Sequence, residues 1–197
     1  MNKTNRLKTL LKKGLVSAKE LRDAGIPSSL VCTLVKRGEA VRVSRGVYSS
    51  ADTGYSGSAD YETLAMAVPR SVFCLLSALR LHDLTDENPH EFYLAIRHGS
   101  HPPRVSQPPA CFVYRTEPLF SAAVEVRRSH GTAIRVYELE QTLADCFQYR
   151  NKIGPDVAVS ALREAFEKGM VDRNKLWEAA RRCRVTRIMR PYLEAFS

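Results

Sequence analysis

Between Pro27 and Gly38 the sequence places short hydroxyls and cations beside an apolar stripe. Leu30, Val31, Leu34 and Val35 recur at helical spacing, which leaves Ser28, Ser29, Cys32, Thr33, Lys36 and Arg37 on the other side. Hydroxyls as short as those of Ser28, Ser29 and Thr33 donate to or accept from base edges and phosphates, and Lys36 and Arg37 suit a phosphate backbone. Arg42 and Arg45 follow at once, in a short β-branched stretch around Ser44-Arg45-Gly46. The surrounding charge agrees. Residues 1–50 hold eleven basic side chains against three acids, Glu20, Asp23 and Glu39, so +8 of the chain's net +9 lies in its first quarter. Such an asymmetry points to a polyanionic partner for that quarter.

Chemistry of other kinds finds little support. No G-x-x-x-x-G-K-[ST] or G-x-G-x-x-G stretch is present, no Asp-x-Asp follows a Gly-Ser, and no acid stands two positions before a Lys. His98 and His101 have an i, i+3 spacing but sit in a proline-rich loop without neighbouring carboxylates, so no metal site, catalytic residue or cofactor is expected. The five cysteines, Cys32, Cys74, Cys111, Cys146 and Cys183, are widely spaced with no C-x-x-C pair and mostly apolar neighbours, which reads as buried, reduced thiols of a cytoplasmic protein. No apolar run reaches the ~20 residues needed to cross a bilayer, and the start of the chain lacks a signal-peptide core. Single-stranded nucleic acid is disfavoured as partner, because residues 1–47 contain no aromatic side chain on which bases stack.

The elements that must position these residues are legible around them. Leu7, Leu10 and Leu11 mark a helix near residues 3–13. Ser17-Ala18-Lys19-Glu20 is a capping box, flanked by Val16 and Leu21 as a hydrophobic staple, and it predicts a helix over 18–24 that Gly25 stops. Pro27 then opens a second helix at its first position, running to residue 37. Two short helices joined by a tight turn make a helix-turn-helix, and strands over 40–43 and 47–49 add a basic hairpin, giving a winged helix. Small residues over 51–60 read as a linker. Beyond it, helices are expected over 61–68 and 71–81, strands over 91–96, 111–114, 124–128 and 134–137, and helices from 138 onward, with Trp177 a packing residue. The fold class is therefore α+β: a winged helix-turn-helix over 1–50, the linker, and a mixed α/β domain over 61–197 with a small sheet and a helical C-terminal half.

In that larger domain one cluster stands out. Asp145 follows Leu143 on an apolar helix, and Arg150 and Lys152 lie just past the helix end. They form either a structural ion pair or, with Arg190, a candidate patch that meets a toxin, a nucleotide or a second DNA-bound copy. A dispersed enzyme site using Asp145, Glu138 or Glu140 is a third reading.

The string from Ala24-Gly25-Ile26-Pro27 through Leu34-Val35-Lys36-Arg37-Gly38 to Arg45-Gly46-Val47-Tyr48 resembles the winged-helix antitoxins of the AbiEi family. The resemblance continues in Cys74-Leu75-Leu76-Ser77-Ala78-Leu79 with His82, in Thr142-Leu143-Ala144-Asp145-Cys146-Phe147, and in Arg190-Pro191-Tyr192-Leu193-Glu194. It implies an autoregulator that binds inverted repeats in its own promoter and acts as the antitoxin of a type IV toxin–antitoxin system. The toxin would be a nucleotidyltransferase that forms no stable complex with it. The chain would act as a monomer or weak dimer, cooperative on DNA. A solitary regulator without a toxin and a DNA-targeted enzyme are the alternatives.

Overall fold

The structure is a computed structural model that describes residues 2–44, 46–52, 57–85, 90–102, 105, 108–129 and 131–196. The chain divides into two compact units. The first comprises Met1–Arg70, Pro102–Pro109 and Arg127–Ile134; the second comprises Ser71–His101, Ala110–Val126 and Arg135–Ser197.

The first unit begins with α1 (Lys3–Lys12), β1 (Val16–Ser17), α2 (Ala18–Asp23) and α3 (Ser28–Lys36), followed by β2 (Ala40–Ser44), β3 (Val47–Ser50) and α4 (Gly57–Ala67). The capping box at α2 forms in full. The Glu20 backbone N–H donates to Ser17 Oγ at 3.1 Å, and the Ser17 N–H donates to the Glu20 carboxylate at 2.7 Å. Gly25 ends this helix at φ +69, a left-handed conformation that costs a side-chain-bearing residue energy, and buried Ile26 closes the turn. Pro27 stands one position earlier than expected: it is the extended N-cap of α3 and not its first helical residue. The core joins Leu7 and Leu11 of α1, Leu21 of α2, Ile26, and Val31 and Leu34 of α3. Strands β2 and β3 pair antiparallel through Ala40↔Ser50 to Ser44↔Val47, with an irregularity between Arg42 and Ser44. A strand the sequence reading did not include, β1, adds Val16↔Tyr48 and Ser17↔Val47 on the far side of β3. Residues 57–60, read as part of a linker, open α4.

The second unit holds β4 (Val72–Phe73), α5 (Leu75–Leu81), β5 (Phe92–Arg97), β6 (Ala110–Arg115), β7 (Val124–Ser129) and β8 (Thr132–Tyr137), of which β7 and β8 extend into the segment grouped with the first unit. Helices α6 (Leu139–Gln148), α7 (Arg150–Ile153), α8 (Pro155–Glu167), α9 (Arg173–Arg182) and α10 (Thr186–Ala195) follow. The five strands form one mixed sheet in the order β6-β5-β4-β8-β7. The expected helix over 71–81 is shorter than predicted. Val72 and Phe73 instead pair with β5 on one side and β8 on the other, and Leu75, at φ +49, separates that strand from α5. The strings Cys74–Leu79 and Thr142–Phe147 are entirely buried, so the residues that carry the resemblance here are core residues. Among the described residues no helix is long and apolar enough to cross a membrane.

Candidate nucleic-acid interface

Helix α3 presents the face expected of it. Val31 and Leu34 are buried, Leu30 and Val35 half-buried, and Ser28, Ser29, Cys32, Thr33, Lys36 and Arg37 are exposed together. Its N-cap, Pro27, has no side-chain oxygen to return to the first-turn amides, so this end of the helix carries no internal cap. Thr33 is already committed in one direction: its hydroxyl donates to the Ser29 carbonyl at 2.9 Å. What Thr33 then offers outward is an acceptor, together with a methyl group. Cys32, expected to be buried, lies exposed on this face instead, and Cys111 is only half-buried. The i, i+4 spacing of Cys32 from Ser28 was the available signal.

Two attachments brace the module around α3. At its C-terminal end Lys8 of α1 pairs with Glu39 at 2.6 Å, and this contact draws the Glu39 carboxyl below its ordinary value. On the other side, the hairpin of β2 and β3 is tied to α2, because the Ala18 N–H donates to the Gly46 carbonyl at 2.7 Å. Gly46 turns the hairpin at φ +78. Arg42 is exposed on β2 opposite Tyr48. The predicted contact residue Arg45 lies outside the described residues. The first unit thus offers a face on which hydroxyls and cations are exposed together. That is a surface for a polyanion, and its cations draw phosphate while its hydroxyls meet finer features.

The second predicted cluster does not assemble. Asp145 is fully buried and pairs with Arg115 of β6, the Arg115 Nη2 to Oδ2 distance being 2.8 Å. Gln141 Nε2 and the Cys183 thiol both donate to its other oxygen, at 2.9 and 3.2 Å. Arg115 in turn donates to Gln148 at 2.7 Å and stacks over Tyr149, 4.8 Å from the ring centre. Burial raises the Asp145 pKa against the pull of Arg115; for Arg115, burial lowers the pKa, but Asp145 together with Tyr149, Cys74 and Tyr137 raises it on balance. Arg150, Lys152 and Arg190 are engaged elsewhere. Arg150 donates to the Phe147 carbonyl at 3.0 Å, Lys152 to the Cys111 thiol at 3.0 Å, and Arg190 pairs with Glu194 at 2.8 Å. The correction has a simple cause: α6 ends at Gln148, so Arg150 and Lys152 leave on a new helix while the inward face of α6 carries Asp145 to the sheet. No sequence spacing relates Arg115 to Asp145, and that pair was missed. Among the described residues no group of three or more His, Cys, Asp or Glu side chains is placed to hold a metal ion.

Comparison with known proteins agrees with the geometry of the first unit. No curated protein matches the sequence. A crystal structure of the RV2827C protein from Mycobacterium tuberculosis is similar in fold, with a TM-score of 0.63 and 15% identity over 90% of this chain and 70% of that one. Residues 5–51 match the family described as transcriptional regulator, AbiEi antitoxin. That match spans about a quarter of the chain, and similarity to the AbiEi antitoxin transcriptional regulators over these residues supports a DNA-binding regulatory role.

Proposed function

We propose that this chain is a cytoplasmic transcriptional autoregulator and the antitoxin of a type IV toxin–antitoxin system, not an enzyme, whose winged helix binds inverted repeats in its own promoter. The observation that carries the reading is the single exposed face of α3, with hydroxyls at its uncapped start and cations at its end, beside a basic hairpin. In this reading α3 enters the major groove. Ser28 and Ser29 meet base edges or a phosphate at the helix start, and Thr33 accepts from a base amino group, such as adenine N6 or cytosine N4. Lys36 and Arg37 hold the backbone, and Arg42 and Arg45 reach flanking phosphates or the minor groove. Monomers or weak dimers fill the repeats cooperatively. Opposition to a nucleotidyltransferase toxin, without a stable complex, falls to the second unit.

The test is a titration of the full chain against its own promoter duplex and a scrambled duplex over a range of salt. A charge of +8 in residues 1–50 is enough to neutralise about four to six phosphates, giving a log–log slope near −4 to −5. Thr33→Val should weaken the promoter selectively, by about 1–3 kcal/mol, and Arg42→Ala should weaken both duplexes alike and reduce the slope by about one. A flat salt response refutes DNA binding by this face. Equal losses on both duplexes for Thr33→Val refute the base-reading role of α3. Rescue from a neighbouring nucleotidyltransferase in co-expression separates the antitoxin from a solitary regulator.

A further inference from the structure

The second unit carries a basic concentration that the charge of the first quarter conceals. Residues 173–190 contain six arginines and Lys175 against the single acid Glu178, a local charge of +6. These residues span α9, the turn after it and the start of α10, and three of the arginines, Arg173, Arg181 and Arg190, line a groove of about 680 Å³ together with Glu178 and Glu194. That volume is of the size that encloses a small ligand, roughly 300–1,000 Å³. The composition of its walls narrows the choice. Trp177, the chain's one tryptophan, is half-buried in it, and the Arg181 guanidinium lies over the indole, 6.0 Å from its centre. Arg190 lines the same groove. Both acids in the lining are offset by cations, Glu194 by Arg190 at 2.8 Å and Glu178 by Arg182 at 4.0 Å, whereas Arg181 makes no ion pair among the described residues.

We propose that this groove binds a small aromatic polyanion of the nucleoside polyphosphate class. The base stacks on Trp177, and Asn174, which lines the same wall, offers an amide to its edge. Arg181, which has no carboxylate partner among the described residues, takes the phosphates, and Arg190 joins it by exchanging Glu194 for a phosphate, in charge-assisted hydrogen bonds. A ring alone does not engage the guanidinium charges and phosphate alone does not engage the indole face, so the ligand carries both. This inference does not depend on the DNA-binding role of the first unit.

The experiment follows the emission of Trp177 in the full chain at low salt, with ATP as the probe up to about 1 mM, a concentration that corresponds to weak but specific binding. Adenosine, tripolyphosphate and a duplex of unrelated sequence run in parallel. ATP is expected to change the emission saturably, tripolyphosphate to displace it, and adenosine to need at least about tenfold more, because it forgoes the guanidinium contacts. Arg181→Ala is expected to weaken ATP by about tenfold with an unchanged melting temperature, and Arg181→Lys to weaken it less. Three results overturn the proposal: no saturable change with ATP, an ATP response untouched by Arg181→Ala, or a response to duplex DNA that ATP does not compete away. The last would assign the groove to a polynucleotide.

Discussion

Replacing Asp145 by Asn tests whether the second unit is held by its internal ion pair. The substitution keeps shape and volume, so the change is the lost charge together with one acceptor oxygen that becomes an N–H donor. Arg115, 3% exposed, then keeps Gln148 and the face of Tyr149 but loses its only carboxylate, and its Nε already has no hydrogen-bond partner among the described residues. A guanidinium left buried without its counter-charge costs about 3–5 kcal/mol. For a chain of this size, each kcal/mol lowers the melting temperature by roughly 2–4 °C, so a loss near 10 °C is expected. Removing both partners together, as Asp145→Leu with Arg115→Met, should cost less than Asp145→Asn alone, because no charge is then stranded. Calorimetry and urea titration of the three proteins give the comparison. A melting temperature for Asp145→Asn within about 2 °C of the parent would show that the pair is not the anchor described here. Duplex affinity measured well below melting should be unchanged, since Asp145 belongs to the second unit.

Ser17→Ala removes one half of the capping box at α2 and should cost about 1 kcal/mol in urea unfolding, whereas Ser17→Thr should cost less. Alkylation followed by mass spectrometry should label Cys32 first and half-buried Cys111 more slowly. Cys74, Cys146 and Cys183 are buried, which pushes their thiols up, and label at any of them in the native protein would contradict their burial. The pairing of Lys8 with Glu39 sets a pH dependence. With the Glu39 carboxyl held below its ordinary value of 4.5, its contribution is fully present above that value and is lost as the pH falls through the lower folded value. The urea midpoints of the parent and of Glu39→Gln should therefore differ near neutrality and converge in acid. A constant gap at all pH values would place the effect elsewhere.

Elements fixed by neighbours in sequence were legible, and elements fixed by distant partners were not. The capping box, the stop at Gly25 and the hairpin at Gly46 each depend on residues a few positions apart, and each formed where the sequence placed it. Val72 and Phe73 fit a helical stripe as well as a strand. The decision rested with β5 and β8, some 20 and 60 residues away. The same holds for Asp145, whose nearest cations in sequence lost to one 30 residues earlier. The exposed face of α3 followed directly from its apolar spacing. The basic run over 173–190 was equally open to counting, yet a charge sum that stops at residue 50 passes over it.

Ser17 belongs to two structures at once: it caps α2 and, through β1, pairs with Val47 of the hairpin. A hinge motion of the wing relative to α2 would therefore have to break either a helix cap or a strand pairing. The separation between the helix and the wing is set when the module folds, before any partner arrives, and little conformational freedom is left to lose on contact. The module behaves as a ruler. A site whose groove and flanking phosphates match its span is met without adjustment, and a duplex bent or spaced differently has to deform itself to fit.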